Sequence, residues 1–569
     1  MFKLRRFLKH YKKELILGPF FKLLEAIFEL AVPLVMAQII DKGIGNNDSD
    51  YVWKMSGLIV VLGICGLGFA LTCQFFAAKC AYGFGTELRD ALYKHINKFS
   101  HAEIDRFGTS SLITRITNDT VLAQNGVNMF IRLAVRAPFL IVGAAVMSMT
   151  LDLKLSIIFL IAAPIITLII VWVMKKTVPM YKKIQKGLDK ISLLTRENLD
   201  GVRVIRAFSK QEEEKKELIN ESGRLSDNAV IAGKISAILN PVTFMIMNLG
   251  IVAILWFGGI RVDTGYLTQG EITAFVNYMT QILLALVVLA NLVIIFTKAA
   301  SSASRINEVF DTQPSMTDGS DTEFDFSSPA VEFENVSFSY PDAGDLSLNN
   351  ISFTLKKGEI LGIIGGTGSG KSTLANLVPR FYDITSGNIK IFGKDIKKYS
   401  MEELRNLIGI VPQRAALFSG TIADNMRWGK PDATDQEIIS ALKIAQAWEF
   451  VSKLTDGIKT NISQGGKNLS GGQRQRLTIA RALVGNPPVV ILDDSMSALD
   501  YATDLALRKA IESELKDTAV IMISQRATTL QNANHILVLD NGEAAGYGIH
   551  ETLLKNCEEY AEIYKSQMS

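Results

Sequence analysis

"LGIIGGTGSGKST", residues 361–373, reads as the end of an apolar strand, a glycine-rich turn and the opening of a helix. Gly365, Gly366, Thr367, Gly368, Ser369 and Gly370 form a loop of mostly small residues whose backbone N–H groups can close around phosphates. Lys371 adds a cation toward the β- and γ-phosphates. The Ser372 hydroxyl can reach Mg²⁺, and the helix through Thr373 points its positive end at the anion. A chance glycine turn would not bring all of this together between a strand and a helix. The stretch therefore predicts an α/β nucleotide-binding domain over residues 331–569, with ATP and Mg²⁺ as its ligands.

Two further motifs lie toward the C-terminus. "VVILDD" (489–494) is a second apolar strand, and Asp493 at its end suits Mg²⁺ coordination. Between the two strands, "NLSGGQRQRLTIARAL" (468–483) opens a helix at Ser470, Gly471, Gly472 and Gln473. That is another phosphate-reading N-terminus, which nothing local requires. A head-to-tail dimer, each half completing the other's site, explains both.

Toward the N-terminus, residues 301–330 shift to Ser, Asp, Thr and Pro, and 311–330 are read as a linker. Before it lie six apolar runs near 15–40, 56–78, 133–151, 155–175, 240–260 and 275–297, each close to the roughly 20 residues a membrane-spanning helix needs. Hydrophobic residues make up 48% of the 569, and the mean hydropathy of +0.22 agrees with membrane content. The expected architecture is an all-α membrane domain of six helices over 1–310, followed by the α/β P-loop domain. The formal charge of +3 argues against a nucleic-acid binder. Cys65, Cys73, Cys80 and Cys557 fit neither a disulfide framework nor a zinc site and read as free thiols.

The opening "MFKLRRFLKHYKK" reads as a basic amphipathic segment on a membrane surface rather than a cleaved signal, whereas the loop "DKGIGNNDSD" is acidic. The positive-inside rule then places the N-terminus and, after six spans, the nucleotide-binding domain in the cytoplasm of a multi-pass cell-membrane protein. Residues 83–132 and 176–239 are expected to be long helical hairpins projecting from the bilayer, with tips at 108–120 and 200–211; solvated loops are the blander reading. Lys22, Glu25 and Glu29 share one face of the first span. They could line a cavity favouring cationic amphiphiles, or form an internal Lys22–Glu25 pair with Glu29 bonded to a neighbouring helix.

Taken together, these motifs resemble an ABC exporter half-transporter over essentially the full length, with "LSGGQ" similar to the ABC signature. The resemblance implies that Tyr340 in "FSYP" stacks on adenine, that Gln413 in "VPQ" senses Mg²⁺, and that Asp500 in "SALD" lies at the dimer interface. It also implies that the two tips couple the domains and that spans four and five swap to a partner's side. Three positions depart from the family pattern: Asp494 replaces the catalytic glutamate, Gln525 the switch histidine, and Gln464 a glutamate before the signature.

Asp is shorter than Glu by one C–C bond, roughly 1.5 Å, and a misplacement of about 1 Å can cost on the order of 10²-fold in rate. Gln525 can hydrogen-bond but carries no charge. Both changes together predict a site that binds ATP and hydrolyses it poorly, while Ser470 serves a partner carrying Glu and His. This resembles the degenerate-site subunit of heterodimeric bacterial multidrug exporters, moving amphiphilic drugs or lipids. The alternatives are a homodimeric lipid or peptide exporter and a nucleotide-gated channel or regulatory subunit.

Overall fold

A computed structural model describes residues 2–341 and 343–568 and divides into two compact units. The first comprises Met1–Asn97 and Ser110–Thr312, the second Lys98–Thr109 and Gln313–Ser569.

The first unit is helical throughout. Among the described residues six helices are long and apolar enough to cross a membrane: Lys3–Ile44, Ser49–Ile96, Thr109–Leu151, Ile157–Asp200, Gln211–Asp263 and Gln269–Asp311. Each overlaps one of the six apolar runs. At 1.5 Å per residue, the 48 residues of Ser49–Ile96 span about 72 Å, more than twice a bilayer's hydrocarbon core. The helix therefore runs well beyond the length that one crossing requires. Helix-lining Val60, Ile64, Leu67, Leu71 and Phe75 are all exposed, a surface suited to lipid rather than water. The interior packs Ala26, Ala144, Phe159, Ile166, Ile254, Phe275 and Tyr278, with the Tyr278 hydroxyl donating to the Leu30 carbonyl at 2.8 Å.

The first hairpin tip differs from the expectation. The short helix between the long ones is His101–Phe107, not a segment within 108–120. Ser100 caps it in a reciprocal capping box with Glu103, and Gly108 (φ 73) ends it. Residues from Thr109 onward already belong to the third long helix. The second tip is the exposed helix Val202–Ala207, inside the 200–211 expected.

The second unit is built on two larger sheets, with a two-stranded ribbon of Gly420–Thr421 and Asn461–Ile462 beside them. One is mostly parallel, in the order Glu543–Gly548, His535–Asp540, Ile360–Gly365, Ala519–Ile523, Val489–Asp493, Ile408–Val411, with only the first strand antiparallel. Its central strands are buried apolar runs, as a sheet covered on both faces requires. The other is antiparallel and pairs Val331–Phe338 with Leu348–Leu355 and Ser386–Ile391. The four cysteines are free.

Candidate nucleotide-binding site

The strands Ile360–Gly365 and Val489–Asp493 both flank Ala519–Ile523, with Asp493 opposite Ile523. The phosphate loop, Asp493 and the loop carrying Gln525 therefore emerge together at the carboxyl ends of neighbouring strands, where open α/β sheets bind ligands. A cavity of about 690 Å³ opens there. Tyr340, Thr367, Gly368, Gly370, Lys371, Ser372, Thr373, Gln413, Asp493, Asp494 and Gln525 line it. Gly365, Gly366 and Ser369 lie in the same loop but outside this lining.

Two loop glycines are conformationally required. Gly368 (φ 84) and Gly370 (φ 97) are left-handed, and a Cβ on Gly370 would lie 2.7 Å from Leu348 Cδ2. The Lys371 ammonium donates to the Gly365 and Gly366 carbonyls (3.0 and 2.5 Å) and to Ser369 Oγ (3.3 Å). Burial holds its pKa below the ordinary lysine value, against the pull of Asp494 and Asp493. Ser372 Oγ donates to Asp493 Oδ1 at 3.1 Å, which places a hydroxyl and a carboxylate together. That donor pair suits a hard cation such as Mg²⁺. Burial raises the Asp493 carboxyl, so it has lost the hydration that a bound cation would replace.

Asp494 follows with a left-handed backbone (φ 45) and its N–H donates to the Ile523 carbonyl at 3.0 Å. Its carboxyl pKa is raised by burial, and its Oδ2 accepts from Gln413 Nε2 at 3.4 Å. Gln413 thus touches the residue that follows Asp493. Gln525 also lines the cavity, and its backbone is held from the C-terminal helix. Gln567 Nε2 donates to the Gln525 carbonyl (2.7 Å), and the Ala527 N–H donates to Gln567 Oε1 (2.8 Å).

Tyr340 donates to or accepts from Thr373 Oγ1 at 3.1 Å and meets Tyr382 edge-on at 5.2 Å between centroids. The Tyr382 hydroxyl donates to Asp105 Oδ2 at 2.6 Å, and the neighbouring Phe381 ring lies 4.4 Å from His101. Tyr382 therefore links Asp105 of the helix His101–Phe107 to Tyr340 of the cavity wall. Neither Tyr382 nor Gln567 was named from sequence. Asn541 and Gly542, which also line the cavity, form an Asn-Gly turn between two strands, a turn signal with no local hint of a ligand.

Ser470, Gly471, Gly472, Gln473 and Asp500 do not line this cavity. Ser470 instead caps the helix Gly471–Leu483, its N–H donating to Gln473 Oε1 (2.9 Å) while its Oγ accepts from the Gln473 N–H (3.2 Å). Asp500 caps Tyr501–Glu514 through Thr503. Gln464 sits in a short turn before the signature.

In the membrane unit the cluster of charges is closed. Lys22 bonds Glu25 at 2.6 Å, and Glu29 bonds Arg136 of the third long helix at 2.6 Å, with Arg136 also 4.0 Å from Glu25. Each of the two acids thus has a cationic partner. These bonds match the second of the two readings of Lys22, Glu25 and Glu29, an internal pair with Glu29 bonded to a neighbouring helix. Of the three, only Glu29 lines the small cavity of about 110 Å³ beside Arg136 and Gln281.

A phosphate loop, a Walker aspartate and a signature helix on one α/β unit, joined to six membrane-length helices, define a transporter driven by a nucleotide. Two family models match: "ABC transporter transmembrane region" over residues 15–287 and "ABC transporter" over residues 348–497. The chain is 39% identical to the uncharacterized ABC transporter ATP-binding protein YfiB of Bacillus subtilis, covering 100% of this chain and 98% of that one. It is 32% identical to the ATP-dependent lipid A-core flippase of Haemophilus influenzae over 99% and 96%. It is 31% identical to the putative multidrug export ATP-binding/permease protein YgaD of B. subtilis over 99% and 98%. The solved structure of a bacterial Atm1-family ABC exporter with ATP bound has the same fold (TM-score 0.81, 24% identity, 98% of both chains). This chain belongs to the ABC transporter family, as an exporter-type half-transporter with one membrane domain and one nucleotide-binding domain.

Proposed function

We propose that the chain is one subunit of a heterodimeric, ATP-driven exporter of amphiphilic molecules, lipids or drugs, with its nucleotide-binding domain in the cytoplasm. The observation that carries this reading is the content of the cavity. It gathers every phosphate-binding side chain of this half together with Asp494 and Gln525, and it excludes Ser470–Gln473. A nucleotide held by Lys371, Ser372 and Asp493 with Mg²⁺ would have no signature serine of its own chain against it. The residues at the water-orienting and switch positions are the two that depart from the family pattern. Phosphoryl transfer depends on positioning and electrostatics, so this half would hold ATP for long periods while its Ser470 completes a faster site on a partner with Glu and His. The names of two relatives, a lipid A-core flippase and a putative multidrug export protein, support an amphiphilic cargo. The neutral Lys22–Glu25 and Glu29–Arg136 pairs favour a cargo without a strong net charge.

A homodimer is the second reading, favoured by the full-length similarity to the flippase. ATPase activity of the purified chain alone, then with a partner half-transporter carrying Glu and His, separates the two. Activity near background alone that appears with the partner supports the heterodimer. Turnover of several per second by the chain alone sinks it.

A further inference from the structure

The N-terminal segment carries Lys3, Arg5, Arg6, Lys9, Lys12 and Lys13, with no acid before Glu14. Glu14 is itself buried and bonded to Lys79 at 2.8 Å, so its charge is matched on the second long helix. The helix Phe2–Tyr11 ends at Tyr11 (φ −108, ψ 27), where the regular helix Lys12–Gln38 begins. The bend leaves a cavity of about 540 Å³. Its polar lining is entirely cationic, with Arg5, Lys9 and Lys12 joined by Lys3 and Arg6, and its apolar lining is Leu8 and Leu15.

The helix is also fastened to the end of the sixth membrane-length helix. Leu4 is 1% exposed, the Phe7 ring lies 5.8 Å from Phe310, and the Arg6 guanidinium sits 4.6 Å over the same ring. Lys3 bonds Asp311 at 2.7 Å. Arg5, Lys9 and Lys12 are exposed, and among the described residues no carboxylate lines the groove they share.

We propose that this groove binds the headgroup of an anionic phospholipid, its phosphate against Arg5, Lys9 and Lys12 and the start of its acyl chains along Leu8 and Leu15. Guanidinium and ammonium groups form charge-assisted hydrogen bonds to phosphate oxygens. Basic residues beside an anionic leaflet gain attraction that salt screens. A zwitterionic headgroup offers the same phosphate but cancels its field with a choline. A soluble phosphate ester would leave the two leucines unused. The occupant is thus a lipid that stays at the helix, independent of the cargo and of whether the dimer is mixed. The clasp at Phe310 and Asp311 joins the site to the last turn of the sixth membrane-length helix, two residues before the second unit begins at Gln313.

The test is lipid retention by the full-length chain in detergent, measured by native mass spectrometry with phosphatidylglycerol or phosphatidylcholine added. The unaltered chain should retain phosphatidylglycerol several-fold better than phosphatidylcholine, and that preference should shrink at about 0.5 M salt. The triple variant Arg5→Gln/Lys9→Gln/Lys12→Gln should lose roughly tenfold or more of the retention. Lys13→Gln, which removes a neighbouring charge outside the groove, should lose far less. Equal retention of the two lipids by the unaltered chain overturns the proposal without reliance on any variant. So does an equal loss in Lys13→Gln, which would mean diffuse attraction rather than a site. Displacement of the lipid by equimolar glycerol phosphate would overturn the lipid assignment in favour of a soluble phosphate ester.

Discussion

Asp494 and Gln525 are single-residue departures whose chemistry can be reversed. Asp494→Glu lengthens the carboxylate by roughly 1.5 Å, and Gln525→His supplies a group that can carry charge. If side-chain reach and charge are what the site lacks, the double variant should hydrolyse ATP on the order of 10²-fold faster than the unaltered chain. A glutamate at φ 45 costs about 1 kcal/mol in backbone strain, a small loss against that gain. Single-turnover hydrolysis at saturating ATP is the measurement, and no acceleration would mean that geometry beyond these two residues limits the site. Gln567 makes a different prediction. Its two hydrogen bonds hold the backbone on both sides of Arg526, so Gln567→Ala should cost roughly 1–2 kcal/mol of stability. It should also release ATP faster while ADP release changes little, because the loop it holds carries the switch residue. Stopped-flow release of both nucleotides distinguishes this from a purely structural effect, which would speed both alike. The phosphate loop and Asp493 were legible in sequence because strand, glycine turn and helix are consecutive. Gln567 and Tyr382 were not, because each reaches the site through tertiary folding, and a lone glutamine or tyrosine carries no spacing signal.

The short helix His101–Phe107 shows how an element can be foreseen and misplaced. The run Gly108-Thr-Ser-Ser looks like a break with a helix after it, yet Gly108 ends a helix that comes before it. The better signal was Ser100 followed three residues later by Glu103, a capping-box spacing that the structure realises with the Glu103 carboxylate accepting from the Ser100 N–H at 2.8 Å. This element should respond to pH through His101. Burial lowers the pKa of its imidazole below the ordinary 6.5, with Arg405 acting in the same direction and Asp105 opposing. A base with a depressed folded-state pKa is protonated first in the unfolded chain, so its contribution is intact above about 6.5 and is lost as pH falls below it. His101→Phe, which keeps a ring beside Phe381, should therefore flatten the fall in Tm between about pH 7 and pH 5.5. An unchanged slope would assign the acid sensitivity elsewhere. In the membrane unit, Asp119 is wholly buried and ion-paired with Arg305, while Arg115 bonds Glu308 at 2.9 Å. Asp119→Ala should destabilise by about 2 kcal/mol, less than the roughly 3–5 kcal/mol of a fully enclosed pair, because Arg305 retains access to solvent. Thermal unfolding of the purified variant reads this directly.

At the scale of the whole molecule, several apolar or functional surfaces are bare in the single chain. The tip Val202–Ala207 buries none of its residues, and Phe208 beside it is 73% exposed. On the second unit, Phe418 and Trp428 stack at 4.4 Å with Trp428 66% exposed. The signature helix begins at a capped but solvent-facing Ser470, away from the cavity that holds Lys371. Sequence led to the expectation of a dimer from two phosphate-reading ends on one chain, whereas which surfaces stay bare required the fold. The proposed division of labour sets unequal consequences for the two ends. In the mixed dimer, Ser470→Ala removes the hydroxyl offered to the partner's nucleotide and should lower total ATPase at least tenfold, whereas Asp494→Ala should leave it within about twofold. Both variants should keep ATP binding at Lys371, measured with a fluorescent analogue, so loss of fold is separable from loss of catalysis. In a homodimer both substitutions fall on the same pair of identical sites, and they should depress turnover together. A large loss in Ser470→Ala with none in Asp494→Ala therefore supports unequal sites, and parallel losses would show that each chain hydrolyses its own ATP with Asp494.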